Sequence, residues 1–135
     1  MIRGVLADTG PLYAANDEGD NHHPIALRQL KELARDRREV LIAYPILLEA
    51  YSLLLLRLGR RAASDWLAEV SDTSFLNPVP EDYARGLTIV RSFSDQSITL
   101  VDATLAALAS RMGLDVWTYD HHFDVMRVGV LAITM

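Results

Sequence analysis

The sequence predicts an α/β fold, a single three-layer domain in which a parallel sheet is flanked by helices. Short apolar runs alternate with longer segments of helical periodicity along nearly the whole chain. The apolar runs are continuous rather than alternating, as expected for strands covered on both faces. With 135 residues, half of them hydrophobic, the chain suits one domain, 1–135, with a full core.

In the first half of the chain, residues 2–7 form an apolar run that predicts the first strand. Pro11 then suits the N1 position of a helix. Residues 24–35 place apolar side chains close to a helical period, and residues 40–43 predict a second strand. Pro45 opens a helix that runs through residue 58 and ends at Gly59, and a further helix covers about residues 60–70.

In the second half, residues 75–79 predict a third strand, and Pro80 begins a helix to about residue 93. Thr99 starts an alanine-rich helix that runs to residue 112, where Gly113 closes it. A fourth strand follows at residues 116–118. Residues 130–134 are a candidate fifth strand.

The composition excludes several classes of protein. The chain has no cysteine, which rules out disulfides and thiolate zinc sites and fits a reducing cytoplasm. The apolar run before Asp8 is too short for a signal-peptide core. The richest apolar segment, residues 46–58, is interrupted by Glu49, Ser52 and Arg57 and falls short of the ~20 residues that a membrane span needs.

The charge distribution argues against general polyanion binding, because the net charge is −5. Twelve of the thirteen basic residues are nevertheless arginine. Six of them form two clusters, Arg35, Arg37 and Arg38 in one and Arg57, Arg60 and Arg61 in the other. Each cluster would suit a phosphate contact or the solvated end of a helix, where cations complement the helix dipole.

Four acidic residues lie at the edges of apolar segments, namely Asp8, Glu49, Asp102 and Asp120. An open parallel sheet gathers such residues at the carboxyl ends of its strands. Carboxylates so close together would repel one another unless a divalent cation lay among them, and oxygen ligands favour Mg²⁺ or Mn²⁺ over zinc. Each acid also has a simpler interpretation as a helix cap or turn residue, as in the capping-box pattern from Thr99 to Asp102.

Four motifs in order resemble those of PIN-domain nucleases, and a domain of this size most resembles VapC-type toxins. The motifs are Leu6-Ala7-Asp8-Thr9-Gly10-Pro11-Leu12, Pro45-Ile46-Leu47-Leu48-Glu49, Ser97-Ile98-Thr99-Leu100-Val101-Asp102-Ala103 and Thr118-Tyr119-Asp120-His121-His122-Phe123. The resemblance implies a five-stranded parallel sheet of order 3-2-1-4-5. It also implies Mg²⁺- or Mn²⁺-dependent ribonuclease activity on an RNA substrate, a homodimer and inhibition by a small antitoxin.

The resemblance also assigns the site. Asp8, Glu49, Asp102 and Asp120 become the metal-binding and catalytic quartet, and the hydroxyl of Thr9 is expected near the metal or the scissile phosphate. Asp124 is an optional further ligand. Asp95 is expected to support a turn, and Gly10 stands where many relatives carry a small polar residue.

The remaining motifs leave alternatives open. His22-His23 and His121-His122 are adjacent pairs, which point apart on a regular helix or strand, so surface or capping roles are expected, with His121 or His122 a candidate phosphate contact. Residues 53–56, four leucines, suggest core packing together with contact to a second protomer or an antitoxin.

A catalytically inactive protein-binding module and a housekeeping RNA-processing nuclease are the competing functions. An aspartyl-phosphate receiver fits poorly, since the only lysine is Lys31 within a predicted helix.

Overall fold

The computed structural model describes residues 4–131, in which strands and helices alternate. The elements are β1 Gly4–Ala7, α1 Thr9–Ala14, α2 His23–Arg35, β2 Glu39–Ala43, α3 Tyr44–Leu58, α4 Arg60–Val70, β3 Phe75–Leu76, α5 Pro80–Ser92, α6 Leu100–Met112, β4 Asp115–Trp117 and α7 His122–Val125. None of the helices in this part of the chain is both long and apolar enough to cross a bilayer.

The strands form one parallel sheet of order β3-β2-β1-β4. This confirms the predicted parallel α/β fold and the predicted order of the first four strands. Within residues 4–131 the predicted fifth strand is represented by Val130, which makes an isolated parallel bridge to Val116. The rest of that predicted strand, residues 132–134, lies outside the described residues.

Three sequence predictions need local correction. The fourth strand is Asp115–Trp117 rather than residues 116–118, because the Thr118 hydroxyl already accepts the N–H of Asp120 in the turn that follows the strand. The third strand ends at Leu76 rather than at residue 79, because Pro78 has no N–H to donate to a ladder and Val79 is already the N-cap of α5. The first helix begins at Thr9, so Pro11 occupies its third position rather than N1. Proline is tolerated there because the first-turn N–H groups have no partner within the helix.

The core lies between the sheet and the helices that cover it. Strand β1 is buried along its whole length, and Leu6, Trp117 and Phe123 are fully buried. Helix α6 is buried at every position from Ala103 to Ala109, which fits its alanine-rich sequence and its close packing on α5. Because β1 lies between β2 and β4 in the sheet, the residues that follow β1 are held by elements on both sides.

Candidate active site

Asp8 lies at the carboxyl end of β1, where the strand turns into α1. Its carboxylate accepts a hydrogen bond from the Thr9 N–H at 2.8 Å and so caps the helix. The backbone N–H of Asp8 donates to the carbonyl of Trp117 on the neighbouring β4 at 2.9 Å. The side chain is only 6 % exposed. The capping role predicted for Asp8 therefore coexists with a fixed position at the edge of the sheet.

Thr118 links Asp8 to Asp120 across the end of β4. The Thr118 hydroxyl donates to the Asp8 carboxylate at 2.8 Å, and its oxygen accepts the backbone N–H of Asp120 at 3.0 Å. The Asp120 carboxylate in turn accepts the backbone N–H of His122 at 2.9 Å, which supports the turn into α7. One buried hydroxyl thus holds two of the four acids in register.

Glu49 reaches the same place from the second turn of α3. Its carboxylate accepts a hydrogen bond from the Thr9 hydroxyl at 2.6 Å, although the two residues are 40 positions apart in sequence. No acidic residue lies in the first turn of α3, so the helix-dipole interpretation does not account for Glu49. Thr9 positions Glu49 much as Thr118 positions Asp8.

Asp102 completes the group from the first turn of α6. Its N–H donates to the hydroxyl of the N-cap residue Thr99 at 3.1 Å, which is the threonine half of the predicted capping box. All four acids, together with Thr9 and Gly10, line one open pocket of about 360 Å³. The structure therefore brings together every residue of the predicted quartet.

Burial and the negative charges of neighbouring carboxylates raise the pKa values of two acids in the pocket. Burial raises the pKa of Asp102 to about 7, and the charges of Asp8 and Asp120 contribute to this rise. Burial also raises the pKa of Asp8, and the neighbouring carboxylates of Glu49 and Asp120 add to it, although its two hydrogen bonds act in the opposite direction. Carboxylates in this state favour either a proton or a cation.

The donor set fits a hard divalent cation. Four carboxylates from four separate elements line one pocket, although no three of them bring their oxygens within 4.8 Å of one another, and the charged groups that shift the pKa values of Asp8 and Asp102 are other carboxylates. Oxygen-only ligands of this kind suit Mg²⁺ or Mn²⁺.

The accessory acids and the basic clusters lie elsewhere. Asp124 is exposed on α7, and Asp95 is exposed in the turn after α5; neither lines the pocket. The Arg57 guanidinium lies 5.1 Å from the centre of the Tyr13 ring. Arg60 and Arg61 line a separate open pocket of about 460 Å³.

The histidine pair after β4 is arranged differently from the prediction. Instead of pointing apart, the rings of His121 and His122 have centroids 4.3 Å apart. The reason is that both residues lie at the turn into α7, where their Nδ1 atoms face the Asp120 carboxylate at 3.8 and 3.1 Å. Each of the three residues offers a ligand atom, all within 4.8 Å of one another, so this cluster adds potential metal ligands beside the quartet.

Three residues of the site were not identified from sequence. Thr118 is buried, and its position two residues before Asp120 was the only available signal. Tyr119 and His22 line the pocket with the acids. The surface role expected for His22 is confirmed, since the residue is exposed, whereas its side chain makes no capping hydrogen bond; the sequence did not predict that it also lines the pocket.

Fold and site together define a parallel α/β domain with a four-carboxylate pocket at the carboxyl edge of its sheet. The model of the PIN domain family matches residues 5–128, and the chain belongs to this family. PIN domains are nucleases that generally use a divalent metal. No curated protein sequence is significantly similar to the chain.

Solved structures share the fold over nearly the whole chain. The structure of VapC20 from Mycobacterium tuberculosis, described as a sarcin-ricin loop cleaving toxin, is 21% identical with a TM-score of 0.80, covering 95% of this chain and 98% of that one. A toxin-antitoxin complex from Klebsiella pneumoniae is 16% identical with a TM-score of 0.73, covering 97% and 98%. VapBC2 from Rickettsia felis, bound to a promoter DNA fragment, is 16% identical with a TM-score of 0.74, covering 98% of each chain.

Proposed function

We propose that the protein is an endoribonuclease that hydrolyses RNA phosphodiester bonds with Mg²⁺, or with Mn²⁺ in its place. The observation that carries the proposal is the convergence of Asp8, Glu49, Asp102 and Asp120 on one open pocket. Family membership supports a nuclease, and the structural neighbour described as a sarcin-ricin loop cleaving toxin supports RNA as the substrate class.

The four carboxylates would hold the cation, with the Thr118 hydroxyl bonded to the carboxylate of Asp8 and the Thr9 hydroxyl bonded to that of Glu49. When bound, the cation activates water for attack and offsets the charge that builds on the phosphoryl oxygens. The protein supplies positioning. Thr118 holds the carboxylate of Asp8 and the backbone of Asp120, and Thr9 holds the carboxylate of Glu49, so three of the four acids are positioned without a ligand. No side chain needs to act as a nucleophile.

The test is cleavage of a mixed pool of end-labelled single-stranded RNAs with Mg²⁺, with Mn²⁺ and with excess chelator. We expect cutting by the wild type with either metal and none with chelator. Asp8→Asn should abolish it, because it removes a ligand charge at nearly constant size. Asp72→Asn is the matched control, since Asp72 is exposed at the end of α4, and it should cut like the wild type. Cleavage that persists in chelator, or in Asp8→Asn, would exclude this mechanism.

We further propose that the protein is the toxin of a toxin-antitoxin module. Two of the structural neighbours were solved as toxin-antitoxin assemblies, which supports a small protein partner for this chain. The test is expression with and without the short open reading frame next to the gene. We expect growth arrest that depends on Asp8 and is relieved by the neighbouring product. Growth without arrest would favour an RNA-processing nuclease or an inactive binding module.

A homodimer is the third part of the proposal, and exposed leucines on α3 support it. Tyr44, Leu48 and Leu55 are spaced by four and seven residues and share one face of the helix, yet they are 45 %, 68 % and 40 % exposed. An exposed apolar stripe of this kind favours protein contact. Leu48→Asp should reduce the mass measured by light scattering to that of a monomer, whereas Leu27→Asp, at an exposed leucine on α2, should leave it unchanged.

A further inference from the structure

One wall of the acidic pocket is aromatic, and nothing in the proposed metal chemistry uses it. His22 and Tyr119 line the pocket with the four carboxylates. Their rings stack, with centroids 4.5 Å apart and an angle of 15° between the planes. His22 and Tyr119 are 97 residues apart in sequence, so the contact is made by the fold.

Tyr119 is held in its orientation by buried hydrogen bonds. Its hydroxyl donates to the side-chain oxygen of Gln29 on α2 at 2.6 Å. The same oxygen accepts the indole N–H of Trp117 at 2.8 Å, and the Gln29 side chain is buried. A polar residue in the core thus ties the aromatic wall to α2 and β4. The tyrosine ring is consequently a fixed surface rather than a loose side chain.

His22 is placed by the turn that precedes α2. Its backbone N–H donates to the Asp20 carboxylate at 2.8 Å, and Pro24 at the start of α2 restricts the chain just after it. Tyr119 covers one face of the imidazole, while the side chain remains 49 % exposed. The imidazole is therefore stacked on one side and exposed in part, at the wall of the pocket.

We propose that His22, backed by Tyr119, stacks the nucleobase of a nucleotide next to the scissile phosphate and so determines which single-stranded RNA position is cut. This inference rests on the proposed ribonuclease function. Unstacked RNA bases are commonly bound on aromatic side chains, because every base has a π-face. The carboxylates would take the phosphate through the cation, and the wall beside them would take the base. His22 is therefore a specificity-determining residue.

The first test measures stacking without cleavage. Heptamers of uridine that carry one 2-aminopurine, at each position in turn, are titrated with the Asp8→Asn protein in Mg²⁺. We expect quenching of the fluorescent base at one position. His22→Ala in this background should lose the quenching and bind roughly tenfold more weakly, whereas His22→Phe should retain both because stacking is kept. His22→Lys supplies a positive charge without the ring, and rescue by lysine instead of phenylalanine would overturn the proposal in favour of a phosphate contact.

The second test uses the catalytically competent chain on an RNA that it cuts. His22→Ala should slow cleavage of the intact RNA roughly tenfold, and an abasic nucleotide at the stacked position should slow the wild type equally. Combining the two changes should add nothing further, as expected for groups that act on each other. If the wild type cuts and His22→Ala cuts the same positions equally fast, this inference is wrong while the ribonuclease stands. If the wild type never cuts but His22-dependent quenching is seen, only the ribonuclease proposal fails; if neither occurs, both fail.

Discussion

At the scale of single residues, the acidic groups of the pocket reduce the stability of the fold. Asp8 and Asp102 are at least half-buried, and both have raised pKa values because burial and neighbouring carboxylates disfavour their charged forms. In a domain whose net stability is only about 5–15 kcal/mol, such repulsion is a considerable cost. A bound cation would offset that cost, which explains how a fold can retain the arrangement.

The first prediction concerns pH. The pKa of Asp102 is raised from 3.8 to about 7 on folding. In the pH window between these two values, the folded chain therefore binds more protons than the unfolded chain. The contribution of Asp102 to stability therefore falls as pH rises through the window. In chelator, the urea midpoint of the wild type should drop between about pH 5.5 and about pH 8 more than that of Asp102→Asn. Equal slopes for the two proteins would show that Asp102 is not perturbed.

The second prediction concerns Thr118. Thr118→Val keeps the shape of the side chain but removes the donor to Asp8 and the acceptor for Asp120. We expect a loss of about 1–2 kcal/mol in the free energy of unfolding, together with slower RNA cleavage. Thr88→Val removes an exposed hydroxyl on α5 that bonds to a carbonyl of its own helix and should change neither quantity appreciably. Wild-type cleavage by Thr118→Val would contradict the positioning role.

Sequence reasoning located the acids at this scale but not the groups around them. Asp8 follows β1 directly and Asp120 comes three residues after the end of β4, so topology alone brings them to one edge. The role of Thr118 could not be predicted in this way, since its position two residues before Asp120 was the only signal and a threonine at the end of an apolar run is typical of an ordinary strand residue. His22 reaches the pocket through a turn between α1 and α2, and turn geometry is not encoded in hydrophobic periodicity.

At the scale of elements, the longer sequence patterns predict the bounds of their helices accurately. Helix α4 begins and ends where the periodicity predicts, and Gly113 closes α6 in the left-handed region with φ 67°. Short elements depart further from the predicted bounds. Strand β3 has two residues and is ended by Pro78, a local effect that overrides the apolar pattern of residues 75–79.

The third prediction concerns the packing of α5 on α6, which holds Asp102 in place. A methyl group added at Gly86 would lie 2.8 Å from the Thr104 hydroxyl oxygen and 3.2 Å from its backbone nitrogen. Gly86→Ala should therefore cost about 1–3 kcal/mol in unfolding free energy, measured by urea denaturation. Gly10→Ala is the control, because a methyl group there meets nothing within 4 Å. Equal stabilities would mean that the two helices can separate at little cost.

At the scale of the whole molecule, the charge is divided between regions with different roles. The quartet makes the pocket acidic, while Arg60 and Arg61 line a separate open pocket beyond the end of α3. Glu49 and Arg57 are eight residues apart on α3, which corresponds to about 12 Å along the helix axis. Arginines beyond that distance lie too far away to contact the phosphate that the quartet would bind, and any attraction that they exert on the rest of an RNA strand should weaken with salt.

The fold class could be predicted from the sequence because it depends on a pattern of strands and helices that extends along the whole chain. The alternation of apolar strands with helices specifies a parallel sheet, and a parallel sheet specifies the edge at which ligands bind. The order of the strands came from resemblance to the PIN family rather than from periodicity. Periodicity identifies elements, but it says nothing about which strand lies beside which.

The central claim, that the four carboxylates form one metal site, is tested most directly by thermal unfolding with and without Mn²⁺. The melting temperature of the wild type should rise on addition of Mn²⁺, since a ligand that binds only the folded state stabilises it. The double variant Asp8→Asn, Asp102→Asn should fold and show no such rise, whereas Asp72→Asn should respond like the wild type. An equal Mn²⁺-induced rise in the double variant and the wild type would contradict the claim.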